Sequence, residues 1–508
     1  MKKILMAVFA ILMTAAWVVP AMAVDTTFYG TYRVRLFGTN NALDYSNDGA
    51  KTYTGVGSAT DTAANYVTDN NSWIDQRFRL GVESKASDQL RGFVQLEIGD
   101  NNLNRSDTWG TNGDAANGVN NQHVTARQAY LSFNAGPVRV KAGRQIFGDA
   151  PDGGQSFRVS DDGVYYGLLD GGLIVVAQVD GFVFATKVLD PLVLAAAYVK
   201  LSEASSSSIT LGASDKDNDL YVLEGVIAPS DAITAAAYFL YDRDRTTVDP
   251  AAGTGQNSPW WLGAGVSAKF DRISLKVNAA YKGVKYEKGC QPGSCGIAAT
   301  GAATDLKYSA YALDADVSAN FGPATVGFAA GMGSGDGSET NTTDKDFTAV
   351  AGSYGNQLGG RPAIFFDSGE VSNGGAALNT TYANGISNST LTNVTFIDLY
   401  ASFKATDDLT LSGLVAKFWH TEKSRVDCAT DDNTCTNKNT WESALGTELD
   451  LNAVYKLYPQ LALVAQAAWF MPDEGIRTYT NTASNNAAGS YATDDNVSEY
   501  FAKIQYDF

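Results

Sequence analysis

Histidine, cysteine, proline and charged residues are all scarce in this chain of 508 residues. It contains 2 His, 4 Cys and 12 Pro, and only 18% of its residues are charged. The two histidines, His123 and His420, have no partner pattern such as H-E-x-x-H, and neither G-x-S-x-G nor a phosphate-binding loop occurs. The sequence therefore predicts neither an enzyme nor a cofactor.

The four cysteines form two close pairs, Cys290 with Cys295 and Cys428 with Cys435. In an exported protein such pairs indicate two local disulfides that close loops. Metal binding is the alternative, but no histidine lies near either pair at ligand spacing. We therefore expect disulfides here and no metal site.

Positive charge is also in deficit, because the formal net charge is −18. Nucleic-acid binding requires a basic surface, so this function class is excluded.

The first 23 residues have the pattern of a secretory signal peptide: Lys2 and Lys3, an apolar stretch over 4–19, and the cleavage site Ala21-Met22-Ala23. An uncleaved membrane helix is the alternative. Loss of the two lysines would leave a mature chain of −18 − 2 = −20 that begins at Val24.

No later stretch has the roughly 18 consecutive apolar residues that a membrane helix needs. Instead, apolar and polar residues alternate with a period of two, as in Tyr500, Ala502, Ile504 and Tyr506 against Glu499, Lys503 and Gln505. Eighteen such segments are predicted as strands, at 26–39, 72–86, 90–100, 123–135, 138–147, 173–188, 192–202, 218–228, 232–243, 259–270, 273–286, 306–321, 324–333, 394–406, 409–421, 442–457, 461–471 and 497–508. Sixteen is the alternative, because the alternation is hard to follow in the nearly all-apolar segment 173–202.

The connections alternate between short turns, such as Gly136-Pro137 and Gly322-Pro323, and long polar loops, such as 334–393. Aromatic residues fall at the two ends of the strands. At the loop ends lie Trp73, Trp260, Trp261, Trp419, Trp441 and Trp469, and at the turn ends lie Phe133, Phe270, Phe321, Phe403 and Phe508. These features indicate an all-β, antiparallel transmembrane barrel over 24–508, with two aromatic belts. Only closure pairs every backbone group in lipid, and about eighteen strands leave an interior too wide for side chains to fill.

The terminal run Tyr500–Phe508 with Phe last, and Lys141-Ala142-Gly143-Arg144-Gln145 closing an early strand, resemble Gram-negative outer-membrane porins. Gly446–Leu451 before Tyr455 is similar to the last hairpin of alginate-export barrels, which have eighteen strands and pass an anionic polymer. The porin resemblance implies a bacterial outer-membrane location in contact with lipid and lipopolysaccharide, a homotrimer, and a third loop that folds into the pore. Segment 147–172 is that loop on this reading.

By alternation, cations from the first five strands face the lumen: Arg33, Arg35, Arg77, Arg79, Arg91, Arg127, Arg139 and Lys141. Inward acids are predicted later in the chain, at Asp314, Asp316, Asp398, Glu448 and Asp450, and on the predicted constriction loop, at Asp149, Asp152, Asp161 and Asp162. Pairing of each arginine with an acid on the adjacent strand is the alternative to a charged pore wall. Asp336, Glu339, Asp344 and Asp346 lack the spacing of a calcium loop, and we expect them to be solvated.

These observations favour a passive, water-filled porin for small hydrophilic solutes and ions, with a transverse field at its constriction. An exporter or uptake channel for an anionic polymer is one alternative, and it predicts a continuous cationic track along the lumen. A barrel that sheaths a partner, such as a multihaem cytochrome, predicts a wide lumen without an infolded loop. A barrel enzyme would need a histidine with an acid or amide partner on the outer wall.

Overall fold

The computed structural model describes residues 24–40, 70–98, 124–147, 173–175, 177–203, 217–245, 258–285, 307–336, 343–350, 362–366, 391–422, 443–473, 479–480, 490–491 and 496–508. Nearly all of these residues lie in strands. Among them, no helix has the length and apolar character needed to cross a membrane.

Eighteen long strands make up the fold, and all eighteen overlap the predicted segments. They are β1 Asp25–Asn40, β2 Asn70–Ser87, β3 Leu90–Ile98, β4 Val124–Ala135, β5 Val138–Phe147, β6 Ala177–Leu189, β7 Leu192–Ser202, β8 Asn218–Ser230, β9 Ile233–Asp244, β10 Trp260–Phe270, β11 Ile273–Lys285, β12 Lys307–Phe321, β13 Ala324–Gly333, β14 Val394–Lys404, β15 Leu409–His420, β16 Ala444–Tyr458, β17 Leu461–Pro472 and β18 Val497–Asp507. Two-residue strands also occur at Thr343–Asp344, Tyr479–Thr480 and Ser490–Tyr491.

Each long strand pairs antiparallel with its neighbours in sequence, and β1 also pairs with β18. The barrel is therefore closed, with Arg35 opposite Lys503 on one side and opposite Asp75 on the other. Closure leaves no edge strand among the eighteen long strands of the barrel. The prediction of eighteen strands is confirmed, and the sixteen-stranded alternative is wrong.

The two faces of the sheet differ in polarity as the alternation predicts. Large apolar side chains cover the outside, where Phe28, Leu223 and Leu399 are 60–63% exposed. On the same strands the intervening positions point inward, and Arg33, Glu224 and Asp398 are almost wholly enclosed. An apolar outer face around a polar inner face is the arrangement of a barrel in lipid rather than of a soluble sandwich.

The apolar stretch 173–202 has a physical explanation in the packing of its inner face. Val183 and Val199 point inward, where they join one buried apolar cluster with Leu173 and Ile174. Phe182 and Leu194 point outward and are exposed. A strand that is apolar on both faces has a continuous apolar sequence, so its alternation with a period of two is not visible. The strand β6 begins at Ala177, and 173–175 is a separate segment inside the barrel.

Aromatic residues occupy both ends of the strands on the outer face, but one tryptophan predicted for this position points inward. At the turn ends Phe270, Phe321, Phe403 and Phe508 are 42–57% exposed on the outside. At the loop ends Trp260 faces outward, with its ring 5.6 Å from that of Tyr281. Trp261 was expected in the same belt, but it is 2% exposed and points into the lumen. Adjacent residues of a strand must face opposite sides, so the two tryptophans could not both face lipid. The Trp73 and Trp441 side chains lie outside the described residues.

Glycine is required in the turn between β4 and β5. Gly136 has a φ of +63°, a conformation that a residue with a Cβ adopts only with strain. Gly322 has a φ of +74° in the turn between β12 and β13. Both glycines precede proline, and together each pair reverses the chain within two residues.

Candidate functional site: the barrel interior

The eight cations predicted from β1 to β5 all lie on the inner face, and we call this group the basic wall. The guanidinium groups of Arg33 and Arg35 are enclosed to the same degree as core residues, at 1% exposure. Arg127 owes its inward direction to a β-bulge opposite Gln95 and Leu96. The bulge lets both Arg127 and Gln128 point inward, although they are consecutive.

Several cations of the basic wall bind carboxylates on neighbouring strands. Arg35 donates from Nε and Nη2 to the Asp75 carboxylate, with the shortest N–O distance 2.6 Å. Arg79 and Arg127 both contact Glu97. Arg91 Nη1 lies 3.2 Å from Glu83 Oε1. Adjacent-strand pairing, the alternative considered above, therefore occurs within this wall.

Arg139 and Lys141 are positioned by neutral groups of β4. Arg139 donates to Ser132 Oγ at 2.9 Å and to Asn134 Oδ1 at 3.0 Å. Lys141 Nζ lies 4.0 Å from the centre of the Tyr130 ring, a cation–π contact. These contacts direct both side chains along the inner face at the turn end of the basic wall.

The basic wall extends along most of the strand length. Cross-strand pairing puts Lys141, Ser132, Arg91, Lys85 and Asp25 in one row. Arg35 is ten residues further along β1 than Asp25, which corresponds to about 33 Å at roughly 3.3 Å per residue. The inner-face cations between these levels therefore form a track from the turn end toward the loop end.

Inner-face acids occupy a second sector across the lumen, from β12 to β16, and we call it the acidic wall. Its members are Asp314, Asp316, Asp398, Glu448 and Asp450. Asp314 accepts from Asn278 Nδ2 of the neighbouring strand β11 at 3.0 Å, and Asp316 accepts from the Tyr400 hydroxyl at 2.6 Å. Asp398 accepts from the Ala329 amide at 3.2 Å. Two walls of opposite charge thus face each other in one barrel.

Parts of two long connections fold into the loop-end half of the lumen. Thr343–Asp344 pairs parallel with the start of β12, and the chain then turns inward. There the Trp261 indole N–H donates to Thr348 O at 3.1 Å, and Lys282 Nζ donates to the Thr348 hydroxyl. The Val350 amide donates to Ile174 O at 2.9 Å, which joins this segment to 173–175. These segments narrow the lumen from the loop side.

A third infolded segment, 362–366, has the sequence Pro-Ala-Ile-Phe-Phe and is fully buried. Its backbone amides donate to Glu448 and Asp450 of the acidic wall. Both acids lie on the inner face, where the segment encloses their side chains. Infolding from 334–393 was missed, although the signal was present: 362–366 is an apolar run within a long polar loop.

Further inner-face charges were missed as well. They are Glu224 on β8, Asp242 on β9, Lys282 on β11, and Glu499 and Lys503 on β18. The alternation of β18 already put Glu499 and Lys503 on the polar face, so that sequence signal was available.

Two groups of predicted residues lie outside the described part of the chain. The first is the predicted constriction loop 147–172 with Asp149, Asp152, Asp161 and Asp162, of which only the backbone of Phe147 is described, at the end of β5. The second is the four cysteines. The disulfide between Cys290 and Cys295 and the disulfide between Cys428 and Cys435 therefore stay predictions.

No protein-family model matches the chain, and no curated protein sequence is significantly similar to it. Solved outer-membrane structures do resemble it. The outer membrane protein OpdK from Pseudomonas aeruginosa has 11% identity and a TM-score of 0.49, over 95% of this chain and 98% of that one. OpdQ from the same organism has 13% identity and a TM-score of 0.47, with the same coverage. OccAB2 from Acinetobacter baumannii has 12% identity and a TM-score of 0.47, again with that coverage. Likeness at this level transfers no functional residue to this chain.

Proposed function

We propose that the chain is a bacterial outer-membrane channel through which small hydrophilic solutes and ions diffuse passively. The observation that carries the proposal is the closed barrel with an apolar outer face and two oppositely charged inner walls. An apolar exterior commits the barrel to lipid, and a lumen lined by ionic groups favours polar over apolar solutes. Infolded segments narrow the path, which suits selection among solutes better than the sheathing of a protein partner.

The two walls would act through their field. Basic groups on one side and acids on the other produce a transverse field across the narrowed lumen, which orients dipolar solutes and admits ions of both signs. Because such groups are fixed by ion pairs and hydrogen bonds, the field needs no rearrangement when a solute arrives. No cofactor or energy source takes part in this mechanism.

A second candidate is a channel selective for an anionic solute or polymer. The basic wall favours it, since its cations extend about 33 Å along the strand direction at roughly 3.3 Å per residue. Arg139 and Lys141 would be the first positions to meet an anion at the turn end. Block of the ionic current by a polyanion, but not by a neutral polymer of equal length, would separate this candidate from a general pore.

Single-channel conductance in a planar bilayer tests the proposed function, with the reversal potential measured under a salt gradient. We expect steady ohmic steps for the purified protein. Replacement of Arg77 and Arg79 together by Gln removes two positive charges from the basic wall, so the reversal potential should shift toward cation preference. Arg272→Gln is the matched control, because Arg272 lies exposed in the turn between β10 and β11.

Absence of conductance steps from correctly folded protein would refute the diffusion channel. An unchanged reversal potential in the double variant would instead show that the basic wall does not line the path of the ions. Contact with lipopolysaccharide and assembly into a homotrimer, both implied by the resemblance to porins, are part of the proposal. Chemical cross-linking in native membranes would test the trimer, and a monomer as the sole product would contradict it.

A further inference from the structure

Segment 362–366, which we call the lumen segment, is attached to the barrel by its backbone. The Ile364 amide donates to Glu448 Oε1 at 2.7 Å, and the Phe365 amide donates to Glu448 Oε2 at 2.9 Å. The Ala363 amide donates to Asp450 Oδ2 at 3.0 Å. Three successive amides of one turn thus bind two carboxylates that lie more than 80 residues away in sequence. Consecutive N–H groups arranged in this way form an anion-binding concavity.

The two carboxylates are enclosed by this contact. Glu448 is 0% and Asp450 is 5% exposed. A carboxylate removed from water is strongly unfavourable unless donors replace its hydration. The lumen segment supplies those donors, and in return the carboxylates satisfy amides that would otherwise be unpaired inside the barrel. Attachment is therefore reciprocal, and neither side can be withdrawn without cost.

Packing of aromatic rings provides the second attachment. The Phe365 ring stacks on Phe418 with centroids 3.8 Å apart. Phe366 meets Phe396 edge-on at 5.2 Å and Phe418 at 5.7 Å. Phe470 lies 5.8 Å from Phe365. The wall rings come from the loop ends of β14, β15 and β17, so the lumen segment covers an apolar patch at this end of the inner face.

We propose that Glu448 and Asp450 fasten the lumen segment across the channel and thereby set the largest solute that can pass. This inference rests on the proposed channel function and assigns its size limit to named residues. The carboxylates act as positioning groups: their role is to hold the segment rather than to contact the solute. Their replacement should release the segment from the wall and widen the lumen.

Two kinds of variant test the attachment from its two sides. Glu448→Gln with Asp450→Asn keeps the side-chain shapes but removes both carboxyl groups, and it can turn amide NH₂ groups toward the donors. Ile364→Pro removes one donor and leaves the barrel wall unaltered, so it tests the attachment even if the first variant does not fold. Asp407→Asn is the control, because Asp407 lies fully exposed in the turn between β14 and β15, away from the lumen.

The first readout is the channel itself: single-channel conductance, and the size limit for neutral sugars in a liposome-swelling assay. We expect both to rise in E448Q/D450N and in I364P, and to stay at the wild-type level in D407N. Neutral sugars separate width from charge, since loss of two carboxylates alone would alter ion preference but not sugar passage. Conducting variants with an unchanged sugar limit would overturn the proposal.

The second readout is cleavage of the lumen segment by chymotrypsin, which cuts after phenylalanine. Phe365 and Phe366 are 1% and 0% exposed and should be protected in the wild type. We expect at least tenfold faster cleavage there in E448Q/D450N, the change that a loss of about 1.4 kcal/mol in attachment gives. Cleavage at the wild-type rate would contradict the attachment.

The two readouts keep the inference distinct from the proposed function. If the wild type does not conduct, the channel function fails, while protease protection still decides whether the carboxylates hold the segment. If the wild type conducts and E448Q/D450N matches it in sugar limit and cleavage, the channel function stands and the assignment to Glu448 and Asp450 is wrong.

Discussion

Removal of the Asp75 carboxylate should destabilise the barrel far more than removal of an equivalent carboxylate on its outside. The Arg35–Asp75 pair is bidentate, has a shortest N–O distance of 2.6 Å, and is enclosed, with both side chains 1% exposed. The Arg144–Asp180 pair has nearly the same geometry, with distances of 3.0 and 2.7 Å. Its side chains are 47% and 54% exposed on the outer face. The two pairs therefore differ mainly in burial.

Burial decides the magnitude. Breaking a buried pair leaves a charge without a partner and costs about 3–5 kcal/mol, whereas an exposed pair contributes about 0.2–1 kcal/mol. We thus expect Asp75→Ala to lower the free energy of unfolding by about 3–5 kcal/mol and Asp180→Ala by less than about 1 kcal/mol. Replacement of the whole inner pair, as Arg35→Met with Asp75→Leu, should cost less than Asp75→Ala, because no unpaired charge remains.

Urea unfolding of the protein refolded into lipid vesicles, followed by tryptophan fluorescence, measures these differences. Equal losses for Asp75→Ala and Asp180→Ala would refute the reasoning, since water in the lumen would then screen Arg35 as well as water outside the barrel screens Arg144. A large decrease in the free energy of unfolding for Asp180→Ala alone would indicate that the Arg144–Asp180 pair lies in the hydrocarbon region of the membrane and not at its surface.

Two further substitutions probe packing on the inner face. Gly327→Ala would put a Cβ into the Tyr400 ring that covers Gly327, so it should break the Tyr400–Asp316 hydrogen bond and lower the free energy of unfolding by about 1–3 kcal/mol; a urea midpoint equal to that of the wild type would contradict this overlap. Phe418→Ala removes the ring on which Phe365 stacks and should cost about 3–5 kcal/mol, with a raised sugar limit in liposome swelling. A destabilised variant with the wild-type limit would show that ring packing does not hold the lumen segment.

Local sequence determined the barrel itself. In lipid every backbone group must be paired within the protein, so a chain with a period of two has few folds open to it. The alternation of strands such as β18, in which Glu499, Phe501 and Lys503 face inward, predicts which side chains face the lumen and which face lipid. It also brought seven of the eight cations of the first five strands to one face, because parity along a strand is a local property. The eighth, Arg127, faces inward through the β-bulge in β4.

Tertiary structure decided what fills the barrel. The alternation of apolar and polar residues predicts that Glu448 and Asp450 point inward. It does not predict that the backbone amides of Ala363, Ile364 and Phe365 donate hydrogen bonds to them. A loop's path depends on contacts with residues distant in the chain, and these leave little trace in local pattern beyond an apolar run. For the same reason the contact between Trp261 and Thr348 emerges only when the connection folds into the barrel. Strand order and facing direction are thus local consequences of the sequence, whereas the width of the lumen is a property of the closed barrel.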